Sequence, residues 1–185
     1  PKTKDRVGTL FLQGYVLHNG EGDLPRAHWY LEQCIKKFAQ EYGNPPNSTA
    51  PWGWLEKALL EQGQVAGEMD NYEDQIKNWD KLDALLFNRY GIHLPLIQAF
   101  YSWPLMKLGK ESEARAKLKG ALEAAPNDEA TVVQVLNSLG ALEMETDHLA
   151  AGSRAFQELL SQVRRNSWKQ SVVYLRNAGE ASACL

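Results

Sequence analysis

The sequence predicts an all-α fold built from antiparallel helix hairpins. Three observations predict it. Apolar residues recur at steps of three and four along most of the chain, alternating strand-like patterns are nearly absent, and proline, glycine and asparagine cut the periodic stretches into short segments. A sustained three-and-four step places apolar side chains on one helix face. Connections of a few residues make successive helices antiparallel neighbours.

About nine helices follow, near residues 5–19, 24–42, 51–68, 72–89, 94–108, 111–125, 129–145, 148–164 and 167–178. The first two flank Asn19-Gly20-Glu21-Gly22-Asp23, a turn by composition, and the second carries Leu31, Cys34, Ile35 and Phe38 on one face. The stretch from Gly43 to Ser48 is the longest loop signal. After it Thr49 is placed to cap a helix and Pro51 suits a first turn. Ile76, Trp79, Leu82, Leu85 and Leu86 define the fourth helix, which ends between Gly91 and Pro95.

The fifth, Leu94 to Leu108, contains Pro104. A proline ring inside a helix clashes with the carbonyl four residues back and brings no amide to bond it. A kink or local break is therefore expected beside Trp103, leaving the Phe100 carbonyl open to a bound peptide. The alternative is a helix that starts near Trp103 with Pro104 in its first turn. Ala114, Leu118, Ala121, Leu122 and Ala125 mark the next face, and Asp128, after Pro126-Asn127, is placed to cap the helix that follows. Val132-Val133-Gln134-Val135 comes nearest to a strand, but the apolar pattern runs on to Leu136 and Leu139 as a helix does. The last helix, 167–178, is expected to cover an apolar face at the end of the array.

The 185 residues suffice for one domain with a core that needs no metal or disulfide staple. A net charge of −3 argues against a non-specific nucleic-acid binder, which carries a basic excess. The short basic cluster Arg164, Arg165 and Lys169 reads as a solvated helix end. No apolar run approaches the roughly 20 residues that span a bilayer, so no membrane insertion is expected. Cys34 sits where a small core residue belongs, which favours a reduced buried thiol over a disulfide to Cys184.

Self-similarity organises the helices into units near 7–42, 51–89, 94–126 and 129–164. The clearest holds Ser102, Leu108-Gly109, Ala114, Leu118, Ala121 and Pro126. The second holds Gly63, Asn71-Tyr72, Trp79 and Leu82, with Gln75 where a small residue is expected. Another holds Leu139-Gly140, Gly152, Phe156 and Leu159, and the N-terminal one holds Gly14, Ala27, Leu31 and Cys34 with extra residues in its turn. Units begin near residues 56, 95 and 133, steps of 39 and 38. Small residues let the two helices of a hairpin approach, and a large one fills the space. Ala114, Ala121, Gly63 and Gly140 should therefore be buried at helix crossings.

This pattern resembles the tetratricopeptide (TPR) repeat, whose standard period is about 34 residues. The stretch from Asn19 to Cys34, with His28-Trp29-Tyr30, also looks like the related Sel1-type repeat. The resemblance implies a single domain over 1–185, a right-handed superhelical array of hairpins. It also implies a concave groove lined by the first helix of each hairpin. By the same resemblance Phe11, Tyr15, Gln64, Ala99, Trp103, Met106, Lys107, Asn137, Ala141 and Met144 face that groove. The family's carboxylate clamp of Lys, Asn and Arg is not matched, since Lys107 alone suits it.

Chemistry-bearing constellations are few. His18, His28, His93 and His148 stand too far apart for a helical ligand pair, so no metal or cofactor site is expected. Gly20-Glu21-Gly22-Asp23 lacks the ligand spacing of a calcium loop. His18 with Asp23, or Tyr15 with Glu21, reads as turn and surface chemistry. Trp29, Trp79 and Trp168 fit core positions, Trp52 and Trp54 a staple at a helix start, and Trp103 an exposed anchor. With no catalytic motif, the expectation is a scaffold for a protein or peptide partner. A ligand-responsive regulatory domain of a larger protein is the alternative, and a helical enzyme the third reading.

Overall fold

The computed structural model describes residues 4–44, 46 and 50–166. Among these residues it is all-helical, with no strand. The helices are α1 (Lys4–Val16), α2 (Leu24–Tyr42), α3 (Trp52–Glu68), α4 (Tyr72–Tyr90), α5 (Pro95–Phe100), α6 (Ser102–Lys107), α7 (Glu111–Ala124), α8 (Glu129–Glu145) and α9 (Leu149–Asn166). A π-helical turn, Leu17–Glu21, extends α1. The expected helix over 167–178, its Trp168, and the proposed cap Thr49 lie outside the described residues.

The chain forms two compact units, Pro1–Ile92 and His93–Leu185, each containing two of the expected repeat units. In the first, α1 pairs with α2 and α3 with α4, and α3 packs on both α1 and α2. In the second, α5 and α6 pair with α7 and α8 pairs with α9, and α8 packs on α5, α6 and α7.

The hairpins share one construction. Asn71 and Asp128 cap α4 and α8 by accepting from the amides of Asp74 (3.2 Å) and Thr131 (2.9 Å), and Asp23 caps α2 through Arg26 (3.2 Å). Each hairpin turn holds one left-handed residue: Gly22, Asp70, Gly109 and Asp147, with φ of 68°, 57°, 72° and 59°. The amide after it reaches back five residues in the last three: Asn71 to Ala66, Lys110 to Leu105 and His148 to Glu143, at 2.8–2.9 Å. Such closures satisfy carbonyls that a helix end leaves open. Left-handed residues 70, 109 and 147 repeat at 39 and 38, the steps read from the sequence.

The small residues expected at crossings are buried: Ala114 at 0%, Ala121 at 1%, and both Gly63 and Gly140. A β-carbon on Gly14 would lie 2.7 Å from Leu31, on Gly63 2.7 Å from Trp79, and on Gly140 2.5 Å from Phe156. One small residue on the first helix thus receives one large residue of the second. The sequence pairs Leu139-Gly140 with Leu108-Gly109, but the structure separates them. Gly140 lies mid-α8, in line with Gly63 and Ser102, and Asp147 occupies the turn. Gln75, large where Ala114 and Gly152 are small, fits because Gly67 faces it; a β-carbon there would sit 2.6 Å from its amide nitrogen.

The break near Pro104 is present. The helix stops at Phe100, turns through Tyr101 (φ −66°, ψ −20°), and restarts as α6 at Ser102, so Pro104 stands in a first turn, as the alternative reading expected. The Ser102 hydroxyl donates to the Ala99 carbonyl at 2.7 Å across this break.

Candidate functional site

The residue directly after the small one is exposed in three hairpins, as Tyr15, Gln64 and Trp103, and half-buried in the fourth, as Ala141. The geometry explains this: the neighbouring small residue is what the second helix packs on, so the next side chain points past the crossing. In the second unit the exposed residue is Trp103, 39% accessible, with the Lys107 ammonium 4.5 Å from its ring centroid. Lys107 also donates to Glu145 Oε1 of α8 at 3.3 Å. The buried Pro104 and Leu105 seat α6, so Trp103 is presented from a fixed turn.

Other groove candidates lie elsewhere. Ala99 is completely buried in a cluster with Leu118, Ala121 and Val135, and offers no surface. Met106 and Phe11 are buried, Phe11 against Trp54 with centroids 5.5 Å apart. Asn137 and Met144 are half-buried, and Met144 packs on the cluster around Phe156. Of the tryptophans assigned to the core, Trp79 is buried and Trp29 is 52% exposed. Trp29 stands edge-on to Tyr30 beside a cleft between α1 and α2 that Gln33, Lys36 and Arg6 also line, off the buried face of α2. Trp54 packs on α1 beside Gly8, and Trp52 lies under Arg89.

The strongest polar cluster escaped the sequence reading. His18, expected at a surface turn, has a side chain only 7% exposed, held between two carboxylates of α3. Nδ1 lies 2.6 Å from Glu61 Oε1 and Nε2 3.0 Å from Glu68 Oε1. Asn19 also donates to Glu61 Oε1 at 2.5 Å. Burial pulls the ring's pKa down, but the bonds to Glu61 and Glu68 and their charges outweigh it, and His18 lies above the ordinary 6.5. The π-turn sets this geometry. The first hairpin has eight residues from Gly14 to its left-handed residue Gly22, where the others have seven. The π-turn absorbs the additional residue. His18 occupies the place held by Gly67, Met106 and Met144 in the other hairpins. The available signal was that longer turn, but the partners stand 43 and 50 residues away.

The second unit buries a different carboxylate. Glu143, its side chain 11% exposed, accepts from the Arg115 guanidinium and lies 3.2 Å from His148 Nδ1. Cys34 is fully buried and donates to the Val7 carbonyl at 3.4 Å; burial pushes its thiol up to about 12, so it stays protonated. Among the described residues no cluster of His, Cys, Asp and Glu is arranged to hold a metal ion, and no helix is long and apolar enough to cross a membrane. No protein-family model matches the chain, and no curated protein or solved structure shows significant similarity to it.

Proposed function

We propose that this chain is a TPR-like scaffold that holds a protein or peptide partner on the exposed edge of its first helices, with Trp103 as the anchor. Trp103 carries this reading. A large aromatic is kept 39% exposed on a short helix whose other residues are mostly buried, with a cation against its ring. Exposed aromatics on a rigid seat are the residues that dominate interface energy, and the Lys107 ammonium against the ring helps hold it in place. The repeated small-to-large hairpins supply the rigidity, and the break at Tyr101 sets the direction of the Trp103 turn.

The test is affinity capture with the wild-type chain, Trp103→Ala, and Trp29→Ala as an exposed-aromatic control. A partner retained by wild type and Trp29→Ala but lost with Trp103→Ala supports the reading. An unchanged set of retained proteins with Trp103→Ala overturns it.

A further inference from the structure

His18 is bonded through both ring nitrogens, and both acceptors are carboxylates on α3. A neutral imidazole has one N–H, whereas the imidazolium has two. Both bonds are therefore donated only by the charged ring. The two carboxylates differ in what they do if a proton leaves. Glu61, its side chain 9% exposed, has Asn19 as a second donor and keeps a bond to either side. Glu68 is 57% exposed and can turn to water. Loss of the proton from Nε2 would face its lone pair toward the Glu68 carboxylate, an arrangement with no hydrogen and with repulsion between the two.

We propose that His18, Glu61 and Glu68 form a proton-operated tie between the π-turn of α1 and the end of α3, closed while the ring carries both protons and released at Glu68 when it carries one. The charged groups that meet the ring are Glu61 and Glu68, both from α3; on its own turn the contact is the neutral amide of Asn19, at 3.3 Å. From α2, which packs on the same turn, Arg26 pairs with its cap Asp23 at 3.3 Å. Tyr15 of α1 has its ring 5.9 Å from that of Phe11, and Glu21 lines a separate cleft with Leu12 and Arg26. The folded ring holds its proton above the ordinary 6.5. The tie is therefore fully present below that value and is lost as pH rises through the raised one. Release frees the last turn of α3, which leads into the left-handed Asp70.

The experiment is amide hydrogen exchange resolved along the chain, at mildly acidic and mildly alkaline pH, with protection corrected for the intrinsic rate. The wild type should lose protection several-fold at the end of α1 and the end of α3 on going to alkaline pH. His18→Gln, which carries no titrating ring, should show no such pH dependence. Glu68→Gln, a change at a half-exposed side chain, should leave the fold intact and move the loss of protection to lower pH. Wild-type protection that does not change with pH, or a change that persists in His18→Gln, would overturn the proposal.

Discussion

The two units tie the ends of their first helices with different chemistry. In the first, His18 reaches Glu68 at 3.0 Å; in the second, Lys107 reaches Glu145 at 3.3 Å. Glu68 and Glu145 follow their small residues, Gly63 and Gly140, at the same distance along the helix, and Lys107 stands likewise after Ser102. A lysine ammonium stays charged far above neutrality, while an imidazole changes charge near it. One scaffold thus carries an imidazole tie in one unit and an ammonium tie in the other. The caps differ as well: Asp128 of α8 is a carboxylate and Asn71 of α4 a neutral amide, while α2 of the first unit carries the carboxylate cap Asp23. Alkali should loosen the His18 tie of the first unit, and acid the Asp128 cap of the second.

The largest effects should come from the residues that fill the small slots. Trp79→Ala and Phe156→Ala should each cost about 3–5 kcal/mol in denaturant unfolding. Similar losses would uphold the equivalence of the two hairpins, and a loss in only one would break it. The next test exchanges a difference between the units. Leu82 occupies in the first unit the place of Ala121 in the second, both buried. Ala121→Leu should overpack its crossing with Leu118 and Val135 and cost about 1–3 kcal/mol. An unchanged midpoint would show that the second unit has room its burial denies.

The smallest effect is at the caps, where Asp128→Ala should cost about 1 kcal/mol. The hydroxyl and amide of Thr131 hold the Asp128 carboxyl below its ordinary 3.8. Its contribution is present above that value and fades as pH falls through the lowered one. The penalty for Asp128→Ala should therefore shrink in acid, and that for Asn71→Ala should not.

Much of this was legible in the sequence, because helix bounds follow local signals. Residues 24–42 were expected and found as α2, and the break before Pro104 follows from one missing amide. The 39 and 38 steps were readable because Trp79, Leu118 and Phe156 repeat at those spacings, although the sequence pairs Gly140 with Gly109 rather than with Gly63 and Ser102. What failed depends on distant neighbours. Trp29 lies off the buried face of Leu31, Cys34 and Phe38, beside Gln33 and Lys36, and Ala99 lies beneath α7 rather than in a groove. His18 looked like a turn residue because its partners arrive from another hairpin.

The proton dependence of the first unit is tested most directly by the ring nitrogens of His18, followed by nitrogen-15 NMR through a pH titration. Both should be protonated below pH 6.5, with a midpoint above 6.5 that falls in Glu68→Gln. A midpoint at or below 6.5, or one that Glu68→Gln does not move, would contradict the account.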